Sequence, residues 1–525
     1  MALGASAAYG RPVVGGHLEV ERKFDVDGAF TPPSPDELGA VPGVAAVDEP
    51  VEHLLEAGYF DTEDLRLFRA RVTLRRRTGG PDAGWHLKLP AQAGARRELH
   101  APLGRSVRRP PASFLTPVAG LLRGAPVDPI ATLNTRRVVT ALRNAGGRVL
   151  AEIADDTVTA TVPAGGPGEP LEVQSWREVE VELVDGDEEL LTAVGDRLIA
   201  AGAFPSSRAS KLGRAIATRA EALSPRAGKT TKGRPRAGDV LLAALRARVE
   251  ELQAADVLLR TGQPDAIHQF RVAARSLRAV LAASRPVLDR GATDPLRAEA
   301  AWLGGQLSGA RDDEVALAHL RAMVAAEPVE LVLGPVAARL QQTELRAAKS
   351  GQARGGETLT DPRYLRLLDD LHGLLDDPPL TDRADGRARP VLRAAVRKSA
   401  RRLERRLEAA ARRQDGDQGL HDVRKAAKRL RYTSEIATGE LGGPAKDLAR
   451  VTKSLQESLG TWHDTVVTRE HCRQLAIAAT AAGESPFTFG RLHALEQCRA
   501  AGAVSDFRAL EPALRQALAA VAKKR

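Results

Sequence analysis

Hydrophobic and polar residues alternate with two different periods along this chain of 525 residues, and the change of period divides it into two parts. In roughly the first 215 residues, short runs alternate with period two. This predicts β-strands, because successive side chains of a strand point to opposite faces. From Asp239 onward, apolar residues recur with helical period in a sequence rich in Ala, Leu, Arg and Glu. That half therefore predicts long amphipathic helices.

Proline and glycine mark the predicted boundaries. The stretch 219–238 is rich in Pro, Gly, Lys and Arg and carries almost nothing apolar, which is typical of a linker. Helices are expected to end at Pro286, Pro328, Pro378–Pro379 and Gly442–Pro444. The predicted organisation is a disordered leader (1–16), a strand-rich domain (17–217), a basic linker (218–238) and a helical domain (239–520).

The first strand carries the most informative pattern. Glu19, Glu21 and Lys23 share one face of the run from His17 to Lys23, because side chains two apart on a strand point the same way. Two carboxylates beside an ammonium suit a divalent cation and a polyanion, since Mg²⁺ prefers oxygen ligands and often shares them with substrate phosphates. An edge strand with a solvated charged face is the alternative.

Later runs repeat the alternation with charged faces. The run from Phe68 to Arg77 is predicted to be a strand with basic residues along one face, and Arg177 to Leu183 alternates Glu with apolar residues. Unpaired charges are too costly to bury in an apolar core. These faces are therefore expected to line a polar cavity, which closure of the sheet into a barrel would create.

Together these runs resemble the CYTH family, the triphosphate tunnel metalloenzymes, over residues 17–217. The resemblance rests on these segments, in order: Glu19-x-Glu21-x-Lys23, Tyr59–Thr62, Leu74–Arg77, Leu87–Pro90, Glu178–Glu182 and Ser210–Lys211. It implies an antiparallel β-barrel with a charged tunnel that binds triphosphate compounds and Mg²⁺ or Mn²⁺. The implied metal ligands are Glu19, Glu21, Glu180 and Glu182, with Glu152 as a further acidic candidate. The implied phosphate ligands are Lys23, Arg75, Arg77, Lys88, Arg96, Arg137 and Lys211.

The expected chemistry is hydrolytic phosphoryl transfer, which depends on positioning and charge neutralisation. Glu19, Glu21 and Lys23 are the candidate catalytic residues. Either a carboxylate or Lys23 with a depressed pKa could accept the proton of the attacking water. The sequence contains no P-loop motif, so a P-loop nucleotide site is not implied.

The helical half contains an internal repeat. The segment from Ile267 to Arg278 aligns with Leu420 to Arg431, and His421 lies 153 residues after His268. A second landmark agrees, since Asp464 lies 152 residues after Asp312. Two landmarks at nearly the same offset predict two duplicated helical bundles.

Each copy carries a cationic stripe, because positions 0, 3, 7 and 10 of a helix fall on one side. The stripes consist of His268, Arg271, Arg275 and Arg278, and of His421, Arg424, Lys428 and Arg431. They resemble the CHAD family over residues 239–520, which implies two bundles related by a pseudo-twofold axis with a basic groove for inorganic polyphosphate. A solvated basic face is the alternative, and the histidines could be helix caps. Arg402, Arg405 and Arg406 are further groove candidates.

Composition adds two constraints. The formal net charge of +10 favours an acidic partner such as polyphosphate, nucleic acid or an anionic membrane surface. Two cysteines, Cys472 and Cys498, allow at most one disulfide and no cysteine metal cluster, which favours the cytoplasm. No apolar run is long enough to span a bilayer, and the first residues lack the pattern of a signal peptide.

The sequence thus predicts an α+β multidomain protein with an N-terminal antiparallel β-barrel followed by two helical bundles. The expected function is metal-dependent hydrolysis of inorganic tripolyphosphate by the barrel and binding of long-chain polyphosphate by the helices, in the cytoplasm and on polyphosphate granules. The alternative is a non-catalytic scaffold that only binds polyphosphate. Nucleic acid is expected to bind only as a low-salt polyanion, because aromatic residues are scarce. The sequence leaves the oligomeric state open.

Overall fold

The computed structural model describes residues 17–90, 96–104, 106–163, 171–208, 210–223, 235–412 and 416–522. Of these, residues 17–19, 96, 416, 417 and 522 are described by their backbone only. The chain divides into two compact units, Met1–Lys229 and Thr230–Arg525. The predicted leader, residues 1–16, lies outside the described residues.

The first unit is dominated by one antiparallel sheet. Its strands are β1 (His17–Glu19), β2 (Glu21–Val26), β3 (Ala46–Val47), β4 (Val51–Asp61), β5 (Thr73–Thr78), β6 (Gly84–Pro90), β7 (Arg96–Ala101), β8 (Asp128–Arg143), β9 (Val149–Pro163), β10 (Leu171–Leu183) and β11 (Phe204–Pro205). Its helices are α1 (Pro35–Gly39), α2 (Arg66–Arg69), α3 (Ala112–Leu115), α4 (Ala119–Leu122), α5 (Glu188–Ala200), α6 (Lys211–Ala215) and α7 (Ala217–Leu223). A 3₁₀ turn spans Thr116–Val118.

The sheet closes on itself through its N-terminal strand. The strand order is β1-β7-β6-β5-β4-β8-β9-β10-β2-β11, and β3 pairs with β8. Since β1 and β2 are separated only by Val20, one continuous stretch pairs with β7 at its start and with β10 over its remainder. This joins the two ends of the order, so the predicted antiparallel barrel is confirmed.

Apolar clusters cover the outside of the barrel wall. Helix α5 buries Leu191, Val194 and Leu198 against Phe24 and Val181. Another cluster packs α6 against Trp176 and its neighbours. Because side chains alternate along each strand, the residues between these apolar ones point into the barrel.

The predicted strand from Phe68 to Arg77 is wrong in its first half. Arg69 ends helix α2, Arg71 has a left-handed backbone with φ of 58°, and the strand begins only at Thr73. The buried Asp61 carboxylate accepts hydrogen bonds from the backbone N–H groups of Leu67 and Phe68 at 2.9 and 2.8 Å. This local network stabilises a helical turn that period-two alternation does not reveal.

The second unit is helical throughout its described part. Its helices are α8 (Ala237–Arg260), α9 (Ala266–Ser284), α10 (Arg290–Gln306), α11 (Ser308–Ala326), α12 (Val336–Thr360), α13 (Pro362–Asp376), α14 (Ala388–Arg412), α15 (Gly416–Leu441), α16 (Gly443–Ala481), α17 (Phe487–Ala509) and α18 (Glu511–Ala522). A 3₁₀ turn spans Val329–Leu331. The helix ends predicted at the proline and glycine positions are confirmed.

The repeat extends over all the described helices of the second unit. The first copy of the repeat contains α8 to α13, and the second contains α14 to α18. Four helices correspond one to one: α8 to α14, α9 to α15, α12 to α17 and α13 to α18. The single long helix α16 corresponds to α10 and α11 together, which are separated at Leu307. The starts of α8 and α14 pair reciprocally. The N–H of Ala237 donates to Gly386 at 2.8 Å, and the N–H of Ala388 donates to Pro235 at 2.9 Å. Such reciprocal contacts are what a local twofold axis produces.

The predicted linker is shorter than residues 218–238. Helix α7 continues to Leu223, and α8 already begins at Ala237. Residues 224–234 lie outside the described part of the chain. Within the described ranges, the helices include none that combines the length and apolar character required to cross a membrane.

Candidate functional site

The barrel encloses a polar cavity of about 380 Å³. Charged side chains from the inner faces of seven strands, β2, β5, β6, β7, β8, β9 and β10, and from α6 line it. Most of the residues predicted to bind metal or phosphate meet there: Glu21, Lys23, Arg75, Arg77, Lys88, Arg137, Glu180, Glu182 and Lys211. The tunnel thus brings together side chains that are spread over almost 200 residues of sequence.

Three carboxylates form a row across one wall of the cavity. Glu182 on β10 pairs in register with Glu21 on β2 and with Glu152 on β9, and all three line the cavity. Burial raises the pKa of Glu182, and the negative charges of Glu21 and Glu180 raise it further. A bound cation would relieve this repulsion, so the donors fit a hard divalent metal in type. Among the described residues, no three acidic, His or Cys side chains are drawn together closely enough to hold a metal ion.

Glu180 is surrounded by cations instead. Arg137 contacts one carboxylate oxygen at 2.8 Å, Lys211 contacts the other at 2.7 Å, and Lys23 also pairs with it. These contacts hold the pKa of Glu180 well below its usual range, although burial alone would raise it. In this arrangement Glu180 positions three cations, whereas Glu21 and Glu182 face one another.

Asp156 is one of two residues of the site that the sequence did not predict. It is fully buried, and its carboxylate accepts hydrogen bonds from Arg137 and pairs with Lys211 at 2.9 Å. Glu178 contacts the same ammonium at 2.7 Å. Asp156 lies opposite Glu178 on β10 and opposite Arg137 on β8. No motif surrounds Asp156 in the sequence, but the alternation of apolar and polar residues from Val149 to Pro163 could have indicated a strand that carries it.

Lys23 is not suited to accept a proton, so the hypothesis of a depressed pKa is wrong. Burial alone would lower the pKa of its ammonium, but the adjacent carboxylates of Glu180 and Glu21 outweigh burial and raise it. The Lys23 Nζ lies 3.2 Å from Glu21. Lys23 therefore stays protonated and can contribute positive charge only.

A second group of cations lies on β5 and β6 around Glu98, which the sequence reasoning also missed. The Glu98 carboxylate lies 3.3 Å from Lys88 and 3.8 Å from Arg75, and it forms a hydrogen bond with Nδ1 of the buried His86. Burial lowers the pKa of His86 to about 4, so this ring is neutral. Burial and the neighbouring Arg75 and Arg137 lower the pKa of Arg77 to about 9. Such crowded cations favour an anion between them.

Two predicted site residues cannot be placed. The side chains of Glu19 and Arg96 lie outside the described part of the structure, although the backbones of these two residues pair with each other between β1 and β7.

In the helical unit, the two predicted stripes meet. Arg271 and Arg275 on α9 and Arg424 and Lys428 on α15 are close enough to perturb one another electrostatically. Burial first, and then the positive charges of Arg424, Arg275 and Arg271, lower the pKa of Lys428 to about 7. A half-buried group of four cations from both repeats is thus concentrated in one place.

Two aspartates and a histidine border this cluster. Asp312 on α11 lies 3.1 Å from Arg271, and Asp312 and Asp464 both attract Arg424. His463 on α16 lies beside His421, with ring centroids 5.6 Å apart. Burial and the cation of Arg424 lower the pKa of His463 to about 4, so it is neutral. His463 and the two aspartates belong to the second repeat landmark, which the sequence analysis used only for alignment.

The residues at the ends of the two cationic stripes lie outside this cluster of four cations. Arg278 is exposed and lies near Arg429, whose pKa is lowered to about 10 by burial and by surrounding arginines. Arg431 pairs with Glu435 at 2.9 Å and lies over the Tyr432 ring. His268 is half-buried, and burial lowers its pKa. The candidate helical site is therefore centred on the four inner cations.

Comparisons with known proteins agree with this architecture. The CYTH domain pattern matches residues 17–215, and the CHAD domain pattern matches residues 243–473. Two proteins, from two strains of Mycobacterium tuberculosis and described as uncharacterised, are each 38% identical over 97% of this chain and 98% of their own length. This chain belongs to the family of proteins that join a CYTH domain to a CHAD domain.

Solved structures resemble parts of the chain. PptA from Streptomyces chartreusis is 22% identical with a TM-score of 0.44, covering 53% of this chain and 99% of its own. The CHAD domain from the plant Ricinus communis is 24% identical with a TM-score of 0.41, covering 56% and 93%. At these identities and scores the likenesses say nothing about activity.

Proposed function

We propose that the barrel hydrolyses a terminal phosphoanhydride bond of inorganic tripolyphosphate with Mg²⁺ or Mn²⁺. The observation that carries the proposal is the in-register row of Glu21, Glu182 and Glu152 in the same cavity as the tunnel cations. A cavity lined by both acidic and basic side chains suits a metal-bound polyphosphate better than it suits a free metal ion or a metal-free polyphosphate.

The tunnel residues have distinct roles in this proposal. Arg75, Arg77, Lys88, Arg137 and Lys211 would bind phosphate oxygens, together with Lys23 and Arg96. Charge on the transferred and leaving groups is neutralised by these fixed cations, which is the main requirement of phosphoryl transfer. Glu21 and Glu182 would hold the divalent cation, together with Glu19, and the metal would act as a Lewis acid. Glu180, the fourth predicted metal ligand, is instead paired with Arg137, Lys211 and Lys23.

The proposal leaves proton transfer to a carboxylate rather than to Lys23. The pKa of Glu182 is raised by burial and by neighbouring carboxylates, which makes it a better proton acceptor than an ordinary glutamate. Because the same carboxylate is a proposed metal donor, Glu182 and Glu21 are both candidates for the base.

The helical unit would bind long-chain polyphosphate at the junction of the two repeats. The support is electrostatic: burial and mutual repulsion lower the pKa values of Arg424 and Lys428, although Asp312 lies nearby. A polyanion would replace this repulsion with attraction. The proposed ligands in this unit are the stripes His268, Arg271, Arg275, Arg278 and His421, Arg424, Lys428, Arg431.

Phosphate release from tripolyphosphate by the full chain tests the enzymatic proposal. We expect turnover with Mg²⁺ or Mn²⁺, none in EDTA, and none in a Glu21→Gln/Glu182→Gln variant. A Glu188→Gln/Glu189→Gln variant, which removes two exposed carboxylates from α5, should keep full activity.

Absence of turnover with both metals, combined with retained binding of long-chain polyphosphate, would favour the scaffold alternative. Cytoplasmic location on polyphosphate granules remains a prediction, and co-sedimentation of the chain with isolated granules would test it.

A further inference from the structure

Helix α14 carries a row of five arginines that the predicted stripes do not include. Arg389, Arg393, Arg397, Arg401 and Arg405 follow one another at intervals of four residues. Each step advances about 6 Å along the helix axis, so the row spans about 24 Å. We call these five residues the α14 arginine row.

The row lies outside the core-facing side of α14 and winds gradually around the helix. Leu392, Val396 and Leu403 are buried in the helical core, whereas Arg393 and Arg397 are half-buried and Arg389, Arg401 and Arg405 are exposed. A groove of about 840 Å³ runs along the row. All five arginines and Lys398 line this groove, which has no acidic or aromatic residue among its described lining.

The row is separate from the cationic cluster between the repeats. Arg402, which the sequence analysis grouped with Arg405, instead lies beside Arg429. Arg406 pairs with Asp422 on α15 at 3.1 Å. These two arginines point toward α15, so α14 presents two different basic sides.

The row is present in only one of the two repeats. Helix α8, which corresponds to α14, has Gly238, Leu242, Arg246 and Glu250 where α14 has the first four arginines of the row. General enrichment in arginine would affect both helices alike. Helix α8 keeps an arginine at only one of these four positions, Arg246, so the row indicates a role specific to α14.

The shape and charge of the row select its ligand class. A single phosphate could contact only one or two of these guanidinium groups, whereas a linear polyanion could follow all of them. Single-stranded nucleic acid usually also requires aromatic side chains for base stacking. An inorganic polyphosphate has no bases, so it fits a groove lined by arginines without aromatic neighbours.

We propose that the α14 arginine row is a second polyphosphate-binding surface, which binds a distal part of a chain held at the junction of the repeats. This inference rests on the proposed binding of long-chain polyphosphate. Two separate contacts on one ligand increase the affinity only for chains that span both sites. The row would therefore make the protein selective for long chains.

Binding of polyphosphate to the full chain at physiological salt tests this surface. The row variant is Arg389→Gln/Arg401→Gln/Arg405→Gln, and the charge-matched control is Arg473→Gln/Arg508→Gln/Arg515→Gln, which also removes three exposed arginines. For chains of about 100 phosphates we expect the Kd of the row variant to rise about tenfold, while chains of about 10 phosphates bind within about twofold of wild type. Circular dichroism would establish that both variants are folded.

Three results would overturn the proposal. The row variant could bind polyphosphate as tightly as the control variant does, which would show that the row makes no contact. It could also lose affinity for short and long chains equally, which would show that the row is not a separate contact for long chains. It could also lose binding only to single-stranded DNA, which would assign the row to nucleic acid. An Arg424→Gln/Lys428→Gln variant tests the site between the repeats separately from the α14 arginine row. If this variant loses all polyphosphate binding while the row variant loses none, polyphosphate binds between the repeats and not at the row. Failure of the wild-type chain to bind polyphosphate would remove both.

Discussion

Asp156 lies directly opposite Arg137 on the neighbouring strand, and its two carboxylate oxygens accept hydrogen bonds from Arg137 Nε at 2.8 Å and Nη2 at 2.6 Å. The same carboxylate pairs with Lys211 at 2.9 Å. A buried carboxylate shared by two cations fixes both side chains in the tunnel without itself being exposed to a ligand. Asp156 is therefore a positioning residue for two proposed phosphate ligands.

Asp156→Asn should reduce kcat/KM for tripolyphosphate about ten- to hundredfold, because the two cations lose the charge that holds them in place. The matched control is Asp155→Asn, whose carboxylate pairs with Arg177 outside the cavity lining. Steady-state kinetics of both variants would check this. If the two substitutions had equal effects, the loss would reflect general destabilisation of the strand. Thermal unfolding curves would measure that contribution.

Lys23→Arg should keep activity within about tenfold of wild type, whereas Lys23→Gln should lose most of it. The reason is that the pKa of Lys23 is raised by Glu180 and Glu21 despite burial, so that only its positive charge is used. The measurement is kcat/KM for tripolyphosphate across the pH range. An inactive Lys23→Arg variant that folds normally would argue for proton transfer by Lys23.

Polyphosphate binding by the helical unit should weaken as pH rises. Burial and neighbouring arginines lower the pKa of Lys428 to about 7, and a bound polyanion would raise it again. Binding therefore takes up a proton, and the affinity falls once the free protein loses that proton above pH 7.

We expect the Kd for long-chain polyphosphate to rise between about pH 6 and about pH 9, and a Lys428→Arg variant to show a flatter profile. Lys425→Arg, which changes an exposed neighbour, is the control. Identical profiles for wild type and Lys428→Arg would show that another group controls the dependence on pH.

Tyr364→Phe should destabilise the helical unit by about 1–3 kcal/mol, because it removes a buried hydrogen bond to a carboxylate. The Tyr364 hydroxyl donates to Asp256 at 2.7 Å, and Arg260 binds the same carboxylate. Chemical denaturation would measure the change in the free energy of unfolding. Tyr432→Phe, at a mostly buried ring in the same unit, should have a smaller effect. Equal effects would mean that ring packing, rather than the hydrogen bond, dominates.

Local patterns were sufficient for much of the architecture. Period-two alternation in Glu19 to Lys23 and in Arg177 to Leu183 predicted strands with charged inner faces, because neighbouring side chains on a strand alternate whatever the rest of the fold does. The same alternation wrongly predicted a strand at Arg69 and Arg71. There Asp61, which lies before the predicted strand, stabilises a helical turn instead. A hydrogen bond across six residues has no periodic signature.

The sequence by itself determined the division into a barrel and a helical unit, the repeat, and most residues of both candidate sites. Only the tertiary structure decided which charges meet: Asp156 with Arg137 and Lys211, Glu98 with Lys88, and Arg402 with Arg429 rather than with Arg405. Periodicity fixes the face on which a side chain lies. Strand register and helix packing fix the partner it finds, and pKa values follow from that partner and from burial.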